Sequence, residues 1–273
     1  MSGVDVEALA GILREAARAE ILPRWRRLDP ETVRVKSNPA DLVTEADEGA
    51  ERVIHARVAA LMPEAAFVGE ESVAADPKLI EAVTAADLAV VVDPVDGTGN
   101  FAAGLPMFAV MMAVVARGEC IAGLIFDALA DDCVVAERGA GTRLLRADSS
   151  SVPLRVAEPV PLEEMVGAAS VGFLPRDVRR AVYPNLAKVR HASAYRCAGQ
   201  EYRAMAAGHL HFLFYSKLLP WDHLPGALIV SEAGGFVART DGSRYRPQDT
   251  SGSLLLASDR DSWDLLRREI FAV

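Results

Sequence analysis

The chain is poor in the residues that cross-link, bind soft metals or track nucleic acid. Its three cysteines, Cys120, Cys133 and Cys197, form no CxxC pair. That excludes a disulfide scaffold and a thiolate zinc site, and it reads as reduced thiols of a cytoplasmic protein. The five histidines show no ligand spacing, and aromatics make up only 6% of the residues. There is no run of basic residues, and the formal net charge is −9. This balance disfavours nonspecific binding to nucleic acid or to an anionic membrane. The most apolar run, residues 108–116, is far too short to span a bilayer. The first residues lack the basic and apolar regions of a signal peptide. The expectation is a cytoplasmic protein with neither nucleic-acid nor membrane partners.

What is present is a chain of 273 residues, 51% of them hydrophobic, enough for one large domain or two packed lobes. Helical spacing of apolar residues predicts helices over 5–26, 42–62 and 77–85, the second opened by Thr44 with Asp47 as its capping-box acid. Residues 33–41 read as a short strand and polar loop. Short apolar runs predict strands over 66–68, 88–92, 107–115, 120–127 and 132–137, joined by tight turns into an antiparallel sheet with helices on one side. Residues 147–153 have linker composition. Beyond them strands (166–170, 191–195, 210–215, 236–239, 252–257) alternate with helices (176–189, 199–208, 222–233, 261–271). The expected division is an N-terminal α+β lobe, 1–150, and a C-terminal α/β lobe, 151–273.

One stretch stands out. Asp93 and Asp96 follow the apolar run 88–92 and lead into Gly97-Thr98-Gly99. Burying even one unpaired carboxylate costs at least several kcal/mol. A hard divalent cation with oxygen ligands offsets that cost, and the glycine turn offers backbone N–H groups to an anion. Acids, metal and anion cradle together point to metal-assisted phosphate hydrolysis. Further acids, Asp47, Glu70, Glu71 and Asp222, stand beside other apolar runs. With no His/Cys cluster, the donor set favours magnesium over zinc.

These segments, 41–47, Gly69-Glu70-Glu71, 93–101, and Trp221-Asp222 running on to 232–235, match in order and spacing the motifs of the inositol monophosphatase family, which the chain resembles over nearly its whole length. The resemblance implies a layered α-β-α-β-α sandwich of the sugar-phosphatase type. It implies two or three Mg²⁺ ions, and a homodimer. Glu70, Asp93 and the carbonyl of Val95 would hold one metal; Asp93, Asp96 and Asp222 would hold the second. Thr98, bonded to Asp47, would orient the attacking water together with Glu70. Gly97 and Thr98 N–H groups would receive the phosphate, and Lys36 matches the lysine of a loop near the site. Ala198, Gly199 and Gln200 fall on a turn that lines the substrate pocket.

The resemblance breaks at one place. Inositol-specific members carry a glutamate where this chain has Tyr215, followed by Ser216 and Lys217. A carboxylate accepts from ring hydroxyls; an ammonium cannot accept at all. Tyr215 and Lys217 are therefore taken as substrate contacts, with Lys217 facing either a second anionic group or solvent. The expected activity is hydrolysis of a small sugar or cyclitol phosphate. Fructose 1,6-bisphosphate, adenosine 3′,5′-bisphosphate and histidinol phosphate are alternatives, as is a regulatory role through protein contacts on the same fold.

Overall fold

The computed structural model describes residues 4–29, 33–36 and 42–271. Residues 37–41 of the expected loop, Asp41 among them, lie outside these. Helix α1 (Val6–Ala16) is capped by Asp5, whose carboxylate accepts from Ala8 N at 2.9 Å, and runs into a π-helical turn, Ala17–Ile21. A two-stranded ribbon, β1 (Arg34–Val35) with β2 (Leu42–Val43), precedes α2 (Glu45–Leu61). The helix expected from residue 42 thus begins three residues later, because Thr44 and Asp47 close a capping box that fixes its start.

The first large sheet runs in the order β3 (Ala66–Gly69), β4 (Leu88–Asp96), β5 (Ala109–Ala116), β6 (Glu119–Asp127), β7 (Asp132–Glu137), β8 (Gly141–Leu145), β9 (Ser151–Leu154). Between β3 and β4 lie α3 (Glu70–Ala75), a 3₁₀ turn and α4 (Ala82–Ala85); α5 (Thr98–Ala102) follows β4. Only β3–β4 is parallel; the other pairs are antiparallel. β8 was not foreseen, because its sequence, Gly-Thr-Arg-Leu-Leu, lacks a clean apolar alternation. β9 forms inside the segment that reads as a linker, so the sheet continues past residue 150 to Leu154.

The second sheet has the order β11 (His191–Ser193), β10 (Val166–Ser170), β12 (Phe212–Tyr215), β14 (Leu254–Ala257), β13 (Phe236–Arg239). Its helices are α6 (Arg176–Leu186), α7 (Ala198–Ala206), α8 (Pro220–Glu232) and α9 (Arg260–Glu269).

Strand alternation explains the layering. Val90, Val92, Val110, Met112 and Val114 pack with α1 and α2, whereas Ala89, Val91, Met111, Ala113 and Val115 pack with Met205 of α7 and Leu224, Leu228 and Ile229 of α8. Helices therefore cover both faces of the first sheet, not one as the turn pattern suggested. In the second sheet Leu213, Leu254 and Leu256 face the same central helices, and Phe212, Phe214 and Leu255 face Trp263 and Leu266 of α9 and Ile270 just after it. The result is the five-layer α-β-α-β-α stack. Among the described residues, no helix is long and apolar enough to cross a membrane.

Candidate active site

The site is built where β4 breaks its ladder. The β4–β5 register shifts between Asp93 and Asp96, spanning Pro94, which has no N–H to give to a ladder. Val95 N instead donates to Asp93 Oδ1 at 3.0 Å, turning the strand sharply. Gly97 follows with φ of +85°, and a Cβ there would meet Met107 O at 2.8 Å. Glycine is required on both counts. Thr98 then opens α5.

Thr98 Oγ1 lies 3.1 Å from Asp47 Oδ1 and 3.0 Å from Val95 O. Asp47 is held by α2: its Oδ2 accepts from Thr44 N at 2.8 Å and Thr44 Oγ1 at 2.6 Å. Burial drives the Asp47 carboxyl up to about 6, against the lowering by those Thr44 bonds.

Glu70 and Glu71 occupy the first turn of α3. Glu51 of α2 fixes that turn. Its carboxylate accepts from Glu71 N at 2.7 Å and Ser72 N at 2.8 Å, and it stands so close to Gly69 that a Cβ there would collide with it. Lys36 Nζ donates to Glu70 Oε1 at 2.7 Å and Glu71 Oε1 at 2.6 Å. Burial works against the Lys36 charge, but the two carboxylates outweigh it and hold the ammonium above its usual range. Burial and repulsion from Glu70 push Glu71 up to about 8.

The other acids come from both halves. Asp222 lies in the first turn of α8. His223, beside it, anchors that turn: Nε2 donates to Lys217 O at 2.8 Å and Nδ1 accepts from Tyr202 Oη at 3.0 Å. Burial depresses this imidazole to about 4, so it is neutral. Asp96 Oδ2 accepts from Gly199 N at 2.6 Å and Cys197 Sγ at 3.0 Å; burial raises it to about 6 although these bonds oppose the shift. Asp93 and Asp222 are pushed well up, first by burial and then by Glu70, Asp96 and, for Asp93, Asp222.

Glu70, Asp93, Asp96 and Asp222 line one cavity of about 440 Å³ with Val95, Gly97, Thr98 and Gly99. Its remaining wall includes Phe173, Tyr183, Arg196, Ala198, Tyr215 and Lys217. Among the described residues, no three His, Cys, Asp or Glu side chains form a closed metal-ligand set in this conformation. Asp93, Asp96 and Asp222, raised chiefly by burial, together with Glu70 are the donor set that hard cations stabilise.

Two of the expected substrate contacts are displaced. Gly199 does not line the cavity, because its N–H is taken by Asp96 and a Cβ would meet Ala109 Cβ at 2.8 Å. Gln200 points away, its carboxamide donating to Phe108 O at 3.0 Å and Asp127 Oδ2 at 2.9 Å. Lys36 reaches the site through Glu70 and is not part of the cavity wall. Tyr215 lines the cavity and packs on Tyr202 and His223, with ring centroids 5.2 and 4.5 Å apart. Arg196 was not anticipated. Its place depends on a left-handed backbone turn that no local pattern announces.

The fold and the acid-lined cavity together define a layered phosphatase architecture of mixed sheets flanked by helices. Comparison with known proteins agrees. The profile of the inositol monophosphatase family matches residues 5–269, and the chain belongs to that family. Over 213 residues it is 32% identical to the inositol-1-monophosphatase of Mesorhizobium japonicum, covering 76% of this chain and 75% of that one. It is 30% identical over 224 residues to the fructose-1,6-bisphosphatase/inositol-1-monophosphatase of Thermotoga maritima, covering 81% and 80%. The crystal structure of the extragenic suppressor protein suhB from Bartonella henselae superposes with a TM-score of 0.81 at 27% identity, covering 97% of each chain.

Proposed function

We propose that the chain is a Mg²⁺-dependent phosphomonoesterase acting on a small sugar, cyclitol or related phosphate. The observation that carries this is the single cavity where Glu70, Asp93, Asp96 and Asp222 meet the Gly97–Thr98 turn. Glu70, Asp93 and Val95 O would hold one magnesium; Asp93, Asp96 and Asp222 would hold another. Bound there, the metals would supply a water of lowered pKa and stabilise the leaving oxygen.

The chain's own residues supply the rest. The N–H groups of Gly97 and Thr98, at the free start of α5, receive the phosphate oxygens. Thr98 Oγ1, with one proton and two acceptors in reach, donates a hydrogen bond to Asp47 Oδ1 or Val95 O and offers a lone pair to the attacking water. Asp47, raised towards neutral pH by burial, takes up proton density through Thr98. Glu70 accepts from the same water. Ala198, Tyr215 and Lys217 border the leaving group.

Cytoplasmic residence and a homodimer belong to the same reading. The test is phosphate release from a panel of sugar and cyclitol phosphates with and without magnesium, with the mass in solution measured alongside. Turnover that is indifferent to magnesium, or absent with every ester, sinks the proposal.

A further inference from the structure

We propose that one face of α6, carrying Arg176, Arg179 and Arg180 beside Tyr183, is an electrostatic guide that draws the anionic ester to the cavity mouth. This rests on reading the cavity as a phosphomonoesterase site. It assigns capture of the ester to residues that do not touch the reacting atoms.

The helix phase comes first. Val178, Val182 and Leu186, at i, i+4 and i+8, turn into the core shared with α9. Arg176, Arg180 and Tyr183, at i, i+4 and i+7, share another face, with Arg179 beside them. Tyr183 and Phe173 line the acidic cavity and yet are 57% and 55% exposed, so they stand where it opens to solvent. Arg179 Nη1 donates at 3.2 Å to the carbonyl of Gly172, itself on the cavity wall. The arginine face therefore borders the opening.

The charge pattern comes next. Residues 171–190 hold Arg176, Arg179, Arg180, Lys188 and Arg190 against one acid, Asp177, in a chain of net charge −9. Lys188 is paired with Glu269. Among the described residues, Arg176, Arg179 and Arg180 make no ion pair. Their placement works against α6. Like charges three and four residues apart repel, and cations in the first turn of a helix oppose its dipole. A local arrangement that costs the helix and gains no partner marks a functional demand. The ester is a dianion. Two Mg²⁺ ions would balance Glu70, Asp93, Asp96 and Asp222, but the rest of the chain keeps a negative balance that repels it. A cationic patch at the mouth offsets that repulsion and raises the local concentration of ester.

The experiment uses full-length protein saturated with magnesium and glycerol 2-phosphate, whose leaving group is uncharged. R176Q/R180Q lowers kcat/KM about tenfold near 0.02 M ionic strength and leaves kcat unchanged. Near 0.5 M the gap closes to within about twofold, because salt screens the patch. The variant melts no lower than the parent, since it relieves repulsion along α6. R146Q/R155Q removes the same charge just beyond β8 and β9, four and five strands from β4, and leaves kcat/KM within about twofold of the parent at either salt. Unaltered kcat/KM for R176Q/R180Q at low ionic strength overturns the proposal. So does a loss of equal size at both ionic strengths, or a fall in kcat, either of which would put the arginines on the bound ester. An equal loss in R146Q/R155Q also overturns it, because net charge alone would then account for the effect. If no ester is hydrolysed, the phosphatase reading fails, and calorimetry with inorganic phosphate over the same salt series still decides the guide.

Discussion

Thr98 and Asp47 stand 51 positions apart in sequence, yet Thr98 Oγ1 donates to Asp47 Oδ1 at 3.1 Å. One belongs to the turn that ends β4, the other to the first turn of α2. The same aspartate closes the helix cap through Thr44, so the part that starts the helix also aims the hydroxyl. Thr98→Val keeps the shape and deletes the proton relay. Turnover should fall by about 10²–10⁴-fold, the range of a positioned acid–base group. Magnesium affinity and melting temperature should stay close to those of the parent. A valine variant with full kcat would remove Thr98 from the mechanism.

Lys36 makes a second prediction. Its ammonium bridges Glu70 and Glu71, so a cation approaching Glu70 meets a competitor already bonded to it. Lys36→Met should raise magnesium affinity, read by calorimetry. It should also lower the melting temperature of metal-free protein, because two neighbouring carboxylates lose their counter-charge. The pair is partly exposed, so solvent screening keeps the loss to about 1 kcal/mol. Weaker magnesium binding in the methionine variant would instead make Lys36 a supporting partner of the loaded site.

The pH dependence of stability follows from the raised carboxyls. Asp47 and Asp96 titrate at about 6, Glu201 at about 7 and Glu71 at about 8, each moved up chiefly by burial. In the unfolded chain all four titrate near 4. Between these limits the folded protein binds more protons than the unfolded one, so its stability falls as pH rises. Metal-free protein should therefore lose stability steadily from about pH 4 to pH 8 or so. Saturating magnesium should flatten that decline, because it stabilises the ionised acids. Melting curves across the pH range, with chelator and with magnesium, make the check. A metal-free melting temperature that rises from pH 5 to pH 8 contradicts the burial argument.

Much of this was legible before any coordinates. The β4 acids announce themselves because a buried apolar strand ending in Asp-Pro-Val-Asp-Gly has few bland explanations, and the Thr44–Asp47 cap is a local pattern. Asp222 was found because its order and spacing match a family motif. What stayed hidden depends on long-range packing. Glu51 reads as one more acid on a helix, and its grip on the α3 turn appears only once β3 brings Gly69 against it. Gly199 and Gln200 lie in the right segment, but which atoms face the cavity depends on the helical phase of α7. Gly199 N–H turns towards Asp96 and the Gln200 carboxamide towards Asp127. Arg196 needed its backbone angle, which sequence does not print.

Asp93 carries the sharpest test, because stability and activity should move in opposite directions. It is buried, it shares its cavity with Glu70, Asp96 and Asp222, and burial together with those charges pushes its carboxyl well up. Asp93→Asn keeps an oxygen that can accept from Val95 N, so the turn after β4 has its bond. It removes one of the crowded charges. Metal-free protein should therefore melt higher than the parent near pH 8, by roughly 2–4 °C for each kcal/mol of repulsion released. The same change removes a shared ligand of both proposed metals, so the stabilisation by magnesium should largely vanish. Turnover should drop by on the order of 10³-fold or more, as when a preorganised charge-stabilising group is deleted. Paired melting curves and phosphate-release assays on the two proteins decide the matter. If the asparagine variant melts lower without metal, yet still gains the full magnesium shift, Asp93 holds the fold together and is not the bridge.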